Sequence, residues 1–106
     1  MKKIIDGKLY DSEEESNINV AYIESNWTVP VLSGPPSPMW KNVTLYKTEN
    51  GNFFFEVCEF VGKNLPSKEE IIPMQAQHAM RWCVDNQDHI DDEIDFSLFD
   101  DAIPRA

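Results

Sequence analysis

Short apolar runs alternate with turn residues along the first third of the chain. Asp6-Gly7 stands between two such runs, and Asp-Gly is a hairpin signal because both turn positions favour positive φ. Residues 20–31 are rich in β-forming side chains that partly alternate with polar ones. We therefore expect an N-terminal hairpin, followed later by a strand or extended segment over residues 20–31.

The residues between these two elements have the pattern of a helix start. Ser12 and Glu15 have the spacing of a capping box, and the neighbouring acids suit the positive end of a helix dipole. The pattern predicts a short helix that runs to about Asn19. Beyond the extended segment, Pro30 and the proline-rich residues 33–38 predict a loop, because each proline removes a backbone hydrogen-bond donor.

The strongest β signal is Asn50-Gly51, which stands between the β-rich residues 40–49 and 52–61. A two-residue turn at this point would place Tyr46 opposite Phe55. Both faces of the resulting sheet are partly apolar, so we do not expect one helix to cover all of it. One predicted face carries Thr44, Tyr46, Phe53, Phe55 and Val57, and the other carries Val43, Leu45, Phe54, Cys58 and Phe60.

The pattern changes to a helical one after a turn predicted over residues 62–66. Ile71-Ile72-Pro73 leads into an amphipathic stretch, with apolar residues at helical spacing: Ala76, Ala79, Met80 and Cys83. We expect the main helix near residues 74–86. The fold class is then α+β: a single domain over residues 1–106, with an antiparallel sheet built on hairpins, one short N-terminal helix and one main C-terminal helix.

The charge of the chain is strongly negative and unevenly distributed. The net charge is −10 and the pI about 4.4. Residues 85–106 hold eight acidic side chains and one basic side chain. Direct nucleic-acid binding is disfavoured, because it needs lysines and arginines on one face. No apolar run is long enough to span a membrane, so we expect no membrane contact and a cytoplasmic location.

Metal, cofactor and catalytic signatures are missing from the sequence. No acidic stretch matches the calcium loop of an EF-hand, and no glycine-rich phosphate loop is present. Cys58 and Cys83 fall in predicted core elements, which favours buried thiols over nucleophiles. His78 is a lone histidine on a predicted helix. We therefore expect no cofactor and no enzymatic activity, whereas an enzyme would need a pocket with converging polar groups.

Binding is left as the favoured class of function, and the acidic C-terminal segment (residues 85–106) is the candidate surface. Large apolar residues lie between its acids and must be buried, either on this protein's own sheet or on a partner: Ile90, Ile94, Phe96, Leu98, Phe99 and Ile103. If they dock on the sheet, the acids form a fixed face; if they stay free, the tail itself is the ligand. The candidate partner-binding residues are Asp88, Asp91, Asp92, Glu93, Asp95, Phe96, Phe99, Asp100 and Asp101.

Three stretches resemble a known group of proteins: residues 3–12, residues 44–54, and Ile71-Ile72-Pro73-Met74 followed by Ala79 and Trp82. They are similar to small acidic proteins of phages, plasmids and other mobile elements of Gram-positive bacteria. Some anti-CRISPR proteins look like members of this group. The resemblance implies a compact α+β domain and supplies no agreed functional residues.

Together these patterns predict a non-enzymatic inhibitor or modulator. It would bind a basic nucleic-acid-handling protein, such as a CRISPR effector, with acids that imitate a nucleic-acid backbone or with a docking peptide. The alternative is a structural or adaptor protein that forms a homodimer through an exposed apolar sheet face.

Overall fold

The computed structural model describes residues 1–29, 37–61, 66–90 and 93–102, with backbone only at 26–29, 37–39, 61, 66–67 and 100–102. These residues form an α+β fold of strands, one α-helix and two short 3-10 helices. In chain order the elements are β1 (Lys2–Ile5), β2 (Lys8–Asp11), β3 (Ile18–Val29), β4 (Ser37–Lys47), β5 (Phe53–Val61), β6 (Pro66–Met74), α1 (Ala76–Asp85) and the 3-10 helices Gln87–His89 and Phe96–Ala102.

The predicted N-terminal hairpin is confirmed. Strands β1 and β2 pair antiparallel around Asp6 and Gly7, whose φ angles are 52° and 77°. The short helix predicted after it is wrong, because residues 12–17 form turns. Ser12 does not cap a helix: its backbone amide donates to the Met1 carbonyl at 3.0 Å, and its hydroxyl lies 3.1 Å from the Met1 ammonium. These contacts tie Ser12 to the start of β1.

The second sheet has four antiparallel strands in the order β3-β4-β5-β6. Strand β6 was missed by the sequence prediction, because a strand with a proline near each end does not have the usual β pattern. An edge position tolerates those prolines. The loop predicted over 33–38 is wrong at its end, because β4 begins at Ser37. Residues 30–36 and 62–65 lie outside the described residues.

The turn at Asn50-Gly51 is confirmed, but its loop has three residues rather than two. The Thr48 amide donates to the Asn52 carbonyl at 2.8 Å, and the Gly51 amide donates to the Thr48 carbonyl at 2.9 Å. Gly51 has a φ of 84°, which favours glycine. The extra residue shifts the register by one, so Tyr46 lies opposite Phe54 and the predicted faces are wrong.

We call one side of this sheet the helix face, because α1 packs on it. Its core residues include Leu45, Phe53 and Phe55, and the Trp82 ring of α1 meets Phe55 edge-on at 4.8 Å. The predicted main helix is confirmed, with Ala79 and Cys83 fully buried. Its predicted span of 74–86 was slightly too long, because Met74 ends β6.

The other side is the hairpin face, because the β1–β2 hairpin packs on it. Phe54 is 0% exposed there, with its ring 5.5 Å from the Tyr10 ring and 5.3 Å from the Tyr46 ring. Ile71 completes this second core cluster. The sheet is thus covered on both faces near the β4–β5 turn.

The far part of the sheet, away from the β4–β5 turn, is different. We call it the open end, formed by residues 24–29, 37–42, 58–61 and 66–69, and we call the remainder of the sheet the covered end. No open-end residue whose side chain is described belongs to either core cluster. The molecule is correspondingly long, with extents of 57 × 32 × 21 Å.

Candidate binding surfaces

The described part of the acidic C-terminal segment folds back onto the helix face. Phe99 is 1% exposed, and its ring stacks on the Phe53 ring at a centroid distance of 4.9 Å. Other apolar residues of the segment pack against the same core cluster, namely Ile90, Ile94, Phe96 and Leu98. Of the two arrangements that the sequence left open, the structure therefore has the docked one. Ile103 lies outside the described residues.

Lys47 of β4 fastens this segment to the sheet. Its ammonium donates to the Leu98 carbonyl at 2.7 Å and lies 5.6 Å from the centre of the Phe53 ring. A charged donor strengthens such a hydrogen bond, and the aromatic face attracts the same cation. The contact joins two residues that are 51 positions apart in the chain.

Asp95 shapes the second 3-10 helix from its start. The carboxylate accepts from the Ser97 amide at 3.0 Å and also from the Ser97 hydroxyl, while the Asp95 carbonyl accepts from the Leu98 amide at 3.2 Å. This local pattern turns the chain so that Leu98 and Phe99 point towards the core. Asp95 itself remains exposed.

The predicted partner-binding residues divide into three groups. The side chains of Asp88, Glu93 and Asp95 are exposed, and we call this surface the C-terminal acidic face. Phe96 is half-buried, and Phe99 is a core residue that a partner cannot reach on the folded domain. For the rest no side chain is described: Asp91 and Asp92 lie outside the described residues, and Asp100 and Asp101 have backbone only.

The hairpin face of the four-stranded sheet carries a second acidic surface, which the sequence prediction missed. The register places Glu24, Glu56 and Glu69 on this face, and no described residue of β3, β4, β5 or β6 on the same face is a lysine or an arginine. Trp40 and Phe60 stack there at 5.5 Å. The one-residue register error concealed the surface, because it grouped Phe60 and Cys58 with Leu45.

Three ionisable groups on the hairpin face have pKa values that nearby glutamates help to raise. The pKa of Cys58 is raised by burial first and then by the charges of Glu56 and Glu69, and the Met1 ammonium offsets part of this increase. The pKa of Tyr22 is raised by burial and then by Glu24, which its hydroxyl contacts at 3.4 Å. Burial and the charge of Glu56 raise the pKa of Tyr46. On the helix side, burial alone raises the pKa of Cys83 to about 11.

The described ranges contain no group of three or more potential metal-ligating residues. They also contain no helix long and apolar enough to cross a membrane. One open depression of about 520 Å³ lies beside the β1–β2 turn, and Asp6 and Lys8 are its charged lining residues. His78 and His89 are both exposed. The chemistry that the two acidic surfaces offer is recognition of positive charge.

No protein-family model matches the chain, and no curated protein or solved structure is significantly similar to it. A function must therefore be inferred from the two acidic surfaces themselves. The resemblance to mobile-element proteins stays a prediction from the three sequence stretches that carry it.

Proposed function

We propose that the protein is a non-enzymatic inhibitor or modulator that binds a basic nucleic-acid-handling protein through its C-terminal acidic face. The observation that carries this proposal is the docking of the acidic segment, with Phe99 buried against Phe53. Because the apolar residues of the segment are packed on the core, the exposed side chains of Asp88, Glu93 and Asp95 have a fixed backbone beneath them. A fixed acidic face loses less conformational entropy on binding than a free tail would lose.

The uneven charge supports the same proposal. Eight acids and one base in residues 85–106 produce a local negative potential that attracts a basic groove and speeds encounter with it. Carboxylates spread over a rigid surface can occupy the positions that phosphates take in such a groove. Given the resemblance to mobile-element proteins, a CRISPR effector is the first partner to test.

The test compares two variants that lose the same five negative charges. The first carries Asp88→Asn, Asp91→Asn, Asp92→Asn, Glu93→Gln and Asp95→Asn; asparagine at position 95 keeps an oxygen that can accept from Ser97. The control carries Asp6→Asn, Glu13→Gln, Glu14→Gln, Glu15→Gln and Glu49→Gln, all at exposed positions. Urea unfolding confirms that both variants fold.

Inhibition of DNA cleavage by a guide-loaded CRISPR effector is then measured at several salt concentrations. We expect the first variant to need at least tenfold more protein for the same inhibition, and the control to stay within about threefold of wild type. Equal losses in both variants would show that only net charge matters and would contradict the proposal. If wild type leaves every tested effector active, the CRISPR part of the proposal is wrong.

The alternative function is a homodimer formed through an exposed sheet face. Two features of the hairpin face favour it: Tyr22 is 41% exposed, and the stacked Trp40–Phe60 pair lies outside both core clusters. Sedimentation at high protein concentration tests this alternative directly. A strict monomer would eliminate it.

A further inference from the structure

The two edges of the four-stranded sheet are protected to different degrees. Edge strand β6 has Pro66 and Pro73 near its ends and three consecutive charged residues, 68–70. Prolines and charges on an edge discourage pairing with another strand. Edge strand β3 spans twelve residues, with Glu24 as its single charged residue and no proline.

Strand β3 therefore presents a long row of backbone donors and acceptors at its outer side. A bulge between Asn19 and Ala21 disturbs the strand near its start. From Ala21 to Val29 the pairing with β4 is regular, and no described strand pairs with the outer side. An edge of this length, with one charged residue and no proline, is the usual template for addition of a further strand.

The charges next to this edge indicate which strand would fit. A strand added to β3 places every second side chain over the hairpin face, beside Tyr22 and Glu24 of β3. Positive side chains at those alternate positions would meet the Glu24 carboxylate and the exposed Tyr22 ring. A second copy of this chain fits less well, because it would bring a second set of the same carboxylates to the surface.

We propose that the outer edge of β3 is a docking site for an extended strand of a partner protein that carries arginine or lysine at alternate positions. The site lies on the hairpin face, whereas the C-terminal acidic face belongs to a segment packed on the helix face. It thus does not depend on the function proposed above. Burial and nearby glutamates raise the pKa values of Tyr22 and Cys58, in agreement with a surface that favours cations.

Three ten-residue peptides serve as probes against the full-length, ¹⁵N-labelled protein. One alternates arginine with threonine and can form a strand. The second alternates arginine with proline, so it has the same charge but lacks half of the backbone donors. The third alternates glutamate with threonine. Binding is measured by titration, and the site is located by protection of backbone amides from hydrogen exchange.

We expect the arginine–threonine peptide to protect amides within Ala21–Val29 and to bind at least tenfold more tightly than the other two peptides. Replacing Glu24 with glutamine should weaken this binding about fivefold, because Glu24 is the carboxylate of β3 on the hairpin face. Replacing Glu13, Glu14 and Glu15 with glutamine should change it by less than threefold. The five-site variant of the C-terminal acidic face should also bind within threefold of wild type.

Three results would overturn the proposal. Equal binding of the two arginine peptides would show attraction to charge without strand addition. Protection at β6 or at residues 93–102 in place of β3 would locate the peptide elsewhere. Protection of β3 that appears without peptide, as protein concentration rises, would identify a second copy of the chain as the occupant.

Discussion

The covered end and the open end of the sheet carry similar residues in different surroundings. Phe54 and Phe60 lie on the same strand and the same face, six positions apart. Phe54 is 0% exposed between the rings of Tyr10 and Tyr46, whereas Phe60 is half-buried and stacks on Trp40. Additional layers above the sheet, and not the strand sequence itself, decide which aromatic residue becomes core.

The same difference applies to two lysines of β4 on the helix face. Lys47, at the covered end, binds the Leu98 carbonyl at 2.7 Å. Lys41, at the open end, lies 4.0 Å from a Glu59 carboxylate oxygen, and both side chains are about a third or more exposed. We infer that stability is concentrated at the covered end, which leaves the open end available for binding.

The largest expected effect comes from truncating the two phenylalanines. Phe54→Ala should lower the free energy of unfolding by about 3–5 kcal/mol, because it empties a fully enclosed position. Phe60→Ala should lower it by about 1–2 kcal/mol, because water already reaches part of that ring. Urea denaturation measures both values.

A domain of this size has a total stability of roughly 5–15 kcal/mol, so Phe54→Ala can leave too little folded protein to measure. Phe54→Leu then replaces it, with an expected loss of about 1–1.5 kcal/mol against a smaller loss for Phe60→Leu. Equal losses at the two positions would contradict the distinction between the two ends.

The lysine pair should give a smaller difference. Lys47→Met removes a charged hydrogen bond and a cation–π contact at a partly buried site, with an expected loss of about 1–2 kcal/mol. Lys41→Met removes a long, exposed ion pair and should cost about 0.5 kcal/mol or less. Both variants lose one positive charge, so each is the control for the other in urea denaturation. A larger loss for Lys41→Met would invert the proposed order.

The smallest effects concern thiol reactivity, measured with N-ethylmaleimide. Both thiol pKa values are raised, so at pH 8 each cysteine has less thiolate than a free cysteine and reacts more slowly, and both rates rise with pH. Cys83, with a pKa of about 11, has a thiolate fraction on the order of one in a thousand at pH 8. It is 0% exposed, so it should react only when the domain opens.

Added salt should affect the reaction rates of the two thiols differently. Glu56 and Glu69 contribute to the raised pKa of Cys58, and salt screens such exposed charges. Added salt should therefore lower the pKa of Cys58 and increase its reaction rate at pH 8. Cys83, whose pKa is raised by burial alone, should show no such direct effect. A Cys58 rate that is independent of salt would argue against a negative potential on the hairpin face.

Part of this fold could be predicted from local sequence chemistry. Asp6-Gly7 and Gly51 mark turns because their backbones need positive φ, and the apolar stripe through Ala79 and Cys83 marks α1. The loop length at Gly51 could not be predicted, because Asn-Gly also fits the end of a three-residue loop. In that loop the Thr48 hydroxyl accepts from the Asn52 amide at 3.1 Å. One added residue exchanges the two faces of β5 relative to β4.

Of the two acidic surfaces, the sequence predicted the C-terminal one and missed the one on the hairpin face. The apolar residues among the C-terminal acids correctly indicated burial. Where they dock depends on the ring face of Phe53, on which Phe99 stacks, and no local sequence pattern reveals that contact. Strand β6 was missed because prolines and charges, the marks of a protected edge, also resemble a loop. Without β6 and the correct register, Glu69 could not be placed on the same face as Glu56 and Glu24.

The most direct test of the central claim is whether the acidic C-terminal segment is docked in solution. Nuclear Overhauser effects between the Phe99 and Phe53 rings measure this without a partner, since the ring centres are 4.9 Å apart. We predict clear cross-peaks between the two rings and dispersed chemical shifts for residues 96–99. Random-coil shifts for these residues, with no cross-peak to Phe53, would show a free tail and contradict the account.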